Sequence, residues 1–171
     1  MASAPTVVPS SSCSSSASPM TYDVFLSFRG ADTRHNFTHD LYAALVEKGI
    51  KTFKDDEEIK IGDVISEALE RAIKKSKFAI IIFSRNYASS TWCLEELSLI
   101  MERWERHGQK VFSVFLNGVN PLDVKHQKGS FGEPFGLHEQ QFGPEMTEKW
   151  RSALRRATAD EVSGWSFKDF G

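Results

Sequence analysis

Apolar and polar positions along this chain switch repeatedly between a period of two and a period near 3.6. YDVFLSF (22–28) is a short run of strand formers, and Gly30, Asp32 and Thr33 after it supply a turn and a helix N-cap. Phe37, Leu41, Ala44 and Leu45 then recur at helical spacing up to Gly49, where a C-terminal glycine closes the helix. Ile50 to Phe53 predicts a second strand, and Asp55 to Glu58 an acidic loop. Ile65, Ala68, Leu69, Ala72 and Ile73 mark the next helix, and FAIIIF (78–83) a strand of the kind buried on both faces. Cys93, Leu94, Leu97, Ile100, Met101 and Trp104 define one face of a further helix, closed by Gly108. Val111 to Leu116 predicts a fourth strand, a Gly- and Pro-rich connection runs from Asn117 to Gly136, and Met146 to Ala159 forms the last long helix. The pattern places no fifth strand.

Strands alternating with helices imply right-handed crossovers, hence a doubly wound α/β domain with a parallel sheet between two helical layers. In such folds a ligand sits beyond the carboxyl ends of the strands, where the strand order reverses. If the first strand is central, as in the flavodoxin-like order, the loop at Arg29 and the loop Ser84 to Thr91 flank that crevice, and Arg29, Trp92 and Glu96 converge there.

Composition narrows the picture. A chain of 171 residues with 40% hydrophobic content suffices for one domain with a sizeable core. The expected boundaries are a polar tail over 1–20, a folded domain over 21–166 and a short tail over 167–171. Met1 to Pro19 is dominated by Ser, Ala and Pro and lacks the apolar surface to offset the entropy of ordering, so disorder is expected. It is Ser-rich like an organelle transit peptide, but it has no basic residue before Arg29. A formal net charge of −2 gives no global pull toward nucleic acid or an anionic membrane. No apolar run reaches membrane-spanning length, which predicts a soluble protein. Cys13 and Cys93 lie far apart without disulfide or metal-ligand spacing, and a reducing compartment is expected.

Candidate chemistry concentrates in SRNYASSTWCLEEL (84–97). On the helix that starts there, Glu95 lies about 160° from the centre of the apolar face and Glu96 about 100°. Glu95 is therefore expected to be a solvated surface charge. Glu96 sits at the boundary, one turn from Trp92, where a carboxylate can be partly desolvated while facing a cleft. Two readings stand at this point: a small-molecule site, or an ordinary flanking charge beside a packing tryptophan. Arg29 likewise serves either as an anion-binding group or in a salt bridge to Asp32 or Asp55. His35 and His39 lie one turn apart but lack a third ligand, so a solvated helix face is expected and no metal. A phosphorelay receiver needs an acidic pair after the first strand and an aspartate after the third, where this chain has Phe28-Arg29 and Ser84. FRGADT lacks the GxGxxG of dinucleotide-binding oxidoreductases.

YDVFLSFRGADTRHNFTHDLYAAL, TFKDD, SRNYASSTWCLEEL, GSFGEPF and SGW, in this order over Tyr22 to Trp165, resemble the Toll/interleukin-1 receptor (TIR) domains of plant immune receptors. The resemblance implies a flavodoxin-like fold and NAD glycohydrolase activity, with Glu96 as the catalytic carboxylate of the WCLxEL motif. It implies NAD or NADP as substrate, no cofactor, and ADP-ribose-type products, cyclic ones included, that promote defence or cell death. Substrate-binding positions would be Arg29, Gly30, Ala31, Asp32, Thr33, Arg34, Gly62 and Trp92. The backbone amides from Gly30 to Arg34 would cradle phosphate at a helix N-terminus, and Trp92 would offer a ring surface. Self-association with further copies, or with other TIR proteins, would use His39, Asp40 and Gly164. Residence would be cytoplasmic, with the nucleus as a second compartment. A non-enzymatic self-association adaptor is the alternative, and cyclase or nuclease activity is disfavoured without a basic stripe. The chain departs from the family at Ile59, Lys60, Ile61 and Gly62, where the family carries Leu-x-Arg-Gly in a loop that completes a neighbour's site. It departs again at His39-Asp40, where the family places a serine or aspartate before the histidine, and at LNGVNPLDVK, which replaces a more acidic pattern.

Overall fold

A computed structural model describes residues 20–54 and 67–166. The polar tail, the acidic loop Asp55 to Glu58, Lys60, Gly62 and the last five residues lie outside the described residues.

Five strands, β1 (Tyr22–Ser27), β2 (Thr52–Lys54), β3 (Ser76–Phe83), β4 (Lys110–Phe115) and β5 (Ser163–Ser166), form one sheet in the order β2-β1-β3-β4-β5. Every pairing is parallel. This is the flavodoxin-like doubly wound order, and its direction reverses between β1 and β3. The fifth strand escaped the sequence pattern because SGWS is short, lies at the sheet edge and alternates nothing apolar into the core.

Alternation along β1 splits its residues between two cores. Val24, Leu26 and Phe28 face α2 (Phe37–Glu47), where they meet Phe37, Leu41, Tyr42 and Leu45. Phe25 joins the larger core built from α3 (Glu67–Lys74), α4 (Thr91–His107) and α6 (Pro134–Ala157). Ser27 has the parity of Phe25, so its hydroxyl enters that larger core beside α4. Ser27 is a fully buried polar residue at the end of the apolar stretch Val24 to Leu26.

Four further expectations about the elements need correction. The segment 30–33 forms its own short helix, α1 (Gly30–Thr33), and α2 begins later behind Asn36, whose side chain accepts from the Phe37 amide. Asp32 therefore caps nothing in α2 and is free to bond elsewhere. The connection after β4 contains a helix, α5 (Pro121–His126), capped by Asn120 accepting from the Leu122 amide at 2.9 Å with Pro121 at its first turn. Six residues are too few for periodicity to show. Third, β3 is not buried on both faces throughout, since α2 does not reach its amino end. Phe78 stays 42% exposed, with the Lys110 ammonium 5.6 Å from its ring centre.

The last helix starts twelve residues before the predicted Met146, at Pro134, and is broken at Gly143, whose φ of 84° and ψ of 169° lie outside the helical range. Pro144 then restarts it, as proline suits a first helical turn. α4 is bounded as its sequence suggests: Ser90 accepts from the Cys93 amide at 3.2 Å, and Gly108 takes the left-handed conformation at its end.

Candidate functional site

Glu96 lies on the α4 face turned toward β1 and is only 3% exposed. Its desolvation goes well beyond the boundary position expected from helical angles. A buried carboxylate needs donors, and two elements supply them. The Ser27 hydroxyl donates to Oε1 at 2.9 Å, and the Trp92 indole N–H donates to Oε2 at 3.2 Å from one turn earlier on α4. Trp92 is half-buried and packs against the main core, so it both covers and holds the carboxylate.

Behind Ser27 stands Tyr87, fully buried in the short 3-10 turn Tyr87–Ser89. The Ser27 and Tyr87 hydroxyl oxygens are 2.7 Å apart, and the Tyr87 hydroxyl also lies 3.2 Å from the Cys93 carbonyl, to which it can donate. Burial pushes the Tyr87 phenol well above its ordinary range; charge on Cys93 and Glu96 pushes the same way, and only the bond with Ser27 opposes them. The phenol is thus a permanent proton donor at neutral pH.

The loop after β1 is tied to the loop after β3 by polar bonds. Asp32 accepts from the Ser84 hydroxyl at 2.6 Å, the Asn86 amide at 3.0 Å and the Asn86 side chain at 3.2 Å. The Arg29 guanidinium donates to the Asn86 carbonyl at 2.7 Å, and among the described residues it makes no salt bridge to Asp32; Asp55 lies outside the described residues. Thr33 is buried, its hydroxyl 2.7 Å from that of Thr38 and donating to the Arg29 carbonyl at 3.3 Å. Arg34 places its guanidinium carbon 5.9 Å from the Phe28 ring centre. The amides of Asp32, Thr33 and Arg34 bond within the α1 turn. Among the five expected cradle amides, those of Gly30 and Ala31 at the helix start remain outside that turn.

An open groove of about 530 Å³ runs along the α2 side of the carboxyl ends of β1, β3 and β4, walled by Ala31, Asp32, Asn36, Asn86 and Asn117 among others. Glu96 and Trp92 do not line it. The geometry therefore brings Glu96 and Trp92 together, ties Arg29 to Asn86, the residue before Tyr87, and leaves the groove as a separate feature. The carboxylate outweighs the groove, because the groove is shallow and its Asp32 already accepts three hydrogen bonds from Ser84 and Asn86. His39 and Asp40 are exposed on α2, and Gly164 is exposed on the edge strand β5. Gly62 lies outside the described residues. Among the described residues no three His, Cys, Asp or Glu side chains gather into a metal cage, and no helix is long and apolar enough to cross a membrane.

Sequence reasoning did not select Ser27, Tyr87, Ser84 or Asn86. Ser27 carried a usable signal, as a hydroxyl at a core-facing position of an apolar strand. Glu95 is a correction. It is only 17% exposed, and it accepts from the Trp150 indole at 2.6 Å and the Lys149 ammonium at 3.2 Å. The angle from the helix's own apolar face could not foresee α6 arriving on that side.

A flavodoxin-like sheet with a buried, doubly hydrogen-bonded carboxylate beside its switch point defines a small doubly wound α/β domain. The TIR domain family matches residues 21–170, and the chain belongs to that family. It is 46% identical over 171 residues, 99% of its length, to disease resistance protein RPV1 of Vitis rotundifolia. It is 49% identical over 146 residues, 84% of its length, to TMV resistance protein N of Nicotiana glutinosa. The chain spans 12% and 13% of the lengths of these two proteins. Among solved structures it is similar to the TIR domains of the activated Roq1 resistosome that directly recognises the pathogen effector XopQ. The TM-score is 0.76 at 45% identity, covering 87% of this chain and 89% of that one.

Proposed function

We propose that this TIR domain of plant disease-resistance type hydrolyses NAD to nicotinamide and ADP-ribose-type products, in an assembled state, as an immune signal. The observation that carries the reading is the Glu96 carboxylate, 3% exposed and held on both oxygens. The two hydrogen bonds offset the cost of burying the charge, and a carboxylate beneath a ribose stabilises the positive charge that develops as the glycosidic bond breaks. Nicotinamide leaves as a neutral base from a cationic ring, so no general acid is required. Water then takes the ribosyl centre; attack by an internal nucleophile instead gives a cyclic product. Trp92 offers a ring surface beside Glu96, while Arg29 with the Gly30 and Ala31 amides supplies positive potential for the pyrophosphate. NAD or NADP is the substrate, and no cofactor is needed.

Assembly is supported by the likeness to a domain solved within a resistosome, and the exposed His39, Asp40 and Gly164 provide surface for it. The depth of Glu96 favours a second reading, a non-catalytic self-association domain whose carboxylate is purely structural. Nicotinamide release from NAD separates the two. The NADase reading predicts release that is lost in Glu96→Ala, by roughly a hundredfold or more, and retained in Glu102→Ala, whose exposed carboxylate pairs only with Arg106 one turn away. Equal release from wild type and Glu96→Ala overturns it.

A further inference from the structure

The proton inventory around Glu96 carries one step more, resting on the reading of Glu96 as the reacting carboxylate. Ser27 Oγ lies 2.9 Å from Glu96 Oε1 and 2.7 Å from the Tyr87 hydroxyl. A serine hydroxyl has one proton to give and two lone pairs to receive with. An ionised Glu96 can only accept, so the Ser27 proton must point at it. Ser27 can then only accept from Tyr87, which fixes the phenol proton toward Ser27.

The other polarity is equally well defined. If Tyr87 gives its proton to the Cys93 carbonyl at 3.2 Å, Ser27 must donate to Tyr87, and two lone pairs face each other at Glu96 unless the carboxyl is protonated. The chain therefore runs Tyr87→Ser27→Glu96 when the carboxylate is charged, and from Glu96 through Ser27 and Tyr87 to the Cys93 carbonyl when it is neutral. Both arrangements run through the 2.7 and 2.9 Å bonds; they differ in whether the phenol proton points to Ser27 or to the Cys93 carbonyl at 3.2 Å.

We propose that Ser27 and Tyr87 are positioning residues for the reaction: through this chain they fix the plane of the Glu96 carboxylate, together with Trp92 on its other oxygen, and hold it ionised beneath the ribosyl centre. Donors from β1 and α4 grip opposite oxygens of one carboxylate, so rotation about its last bond would break a hydrogen bond on either side. The raised phenol pKa agrees with this, because a donor that never ionises can anchor the chain across the neutral range. Among the described residues, the neighbouring titratable groups are engaged elsewhere. The Cys93 thiol donates to the Phe28 carbonyl at 3.5 Å, Glu95 turns to α6, and Arg29 is engaged at Asn86.

The test uses Ser27→Ala and Tyr87→Phe, each of which removes a single oxygen, and their combination, with folding verified by circular dichroism and melting. The side-chain carboxyl carbon of Glu96, labelled with carbon-13 and assigned by its disappearance in Glu96→Gln, is titrated in each. The titration midpoint should rise in Ser27→Ala and less in Tyr87→Phe, and the double variant should match Ser27→Ala because Tyr87 acts only through Ser27. In turnover assays kcat should fall about tenfold with KM unchanged, as for a group that acts in the transition state alone. An unmoved midpoint in both single variants overturns the proposal even if turnover falls, and Tyr87→Phe decides the matter if Ser27→Ala does not fold. Failure of the underlying reading looks different: wild type without turnover but with a midpoint that responds to Ser27→Ala removes the catalytic role and leaves the chain in place.

Discussion

Replacing Glu95 by alanine should destabilise the domain although Glu95 is neither apolar nor in the site. Its Oε1 accepts from the Trp150 indole at 2.6 Å, and Trp150 is 1% exposed among Phe135, His138 and Phe142. Truncation strands the indole N–H in that environment, and an unsatisfied buried donor costs about 1–3 kcal/mol. The Lys149 pair adds little, because Lys149 is half-exposed and such pairs contribute about 0–1 kcal/mol. For a two-state domain of this size about 2–3 kcal/mol lowers the melting temperature by roughly 5–10 °C. Glu95→Gln keeps an acceptor oxygen for the indole and should lose less than about half of that. Thermal melting followed by near-UV circular dichroism reports both the midpoint and the packing of Trp150. A Glu95→Ala protein melting within about 1 °C of wild type would refute the tie between α4 and α6 as drawn here.

Asp32→Ala severs the bonds to Ser84 and Asn86 that join the loops after β1 and β3; about 1–3 kcal/mol of stability and about tenfold or more of NAD turnover should be lost, with Asp32→Asn intermediate in both, as read by melting and nicotinamide release. Gly132→Ala places a methyl 2.2 Å from the Gln127 backbone carbonyl, so the turn Gly129–Phe131 must shift at a cost of about 1–3 kcal/mol, measurable by chemical denaturation. Asp23 is held below the ordinary carboxylate pKa of about 3.9 chiefly by accepting from the Lys51 amide and then by Lys77. Since its folded pKa is depressed, its contribution is present above that ordinary value and is lost as pH falls through the folded one. Asp23→Asn should therefore flatten the fall in stability below about pH 4 while leaving the slope at pH 6–8 unchanged, as followed by urea midpoints across pH.

What could be foreseen from sequence follows period and length. Strands as apolar as LSF and AIIIF, and helices of three turns or more such as α2 and α4, carry enough repeats for their faces to be counted. SGWS and PLDVKH do not, so β5 and α5 surfaced only in the fold. The Glu96 side of α4 was visible from its angle, but its burial was not, because that depends on Ser27 arriving from β1, which is 69 residues earlier in sequence. Glu95 went wrong for the same reason in reverse: 55 residues separate it from Trp150, and no local pattern encodes that encounter. Arg29 and Asp32 drew ligand roles from their place in the loop after β1 and from the family resemblance, and neither source could foresee that each is bonded to the Ser84–Asn86 segment of the opposite loop.

Glu96 is the centre of this account, and nicotinamide release is its most direct measure. Initial rates per molecule should be taken over a rising series of protein concentrations for wild type, Glu96→Ala and Glu102→Ala. The account predicts rates that climb faster than linearly with concentration for wild type and Glu102→Ala and stay at background for Glu96→Ala. Release by Glu96→Ala equal to wild type, or none from wild type at the highest concentration reached, would contradict it.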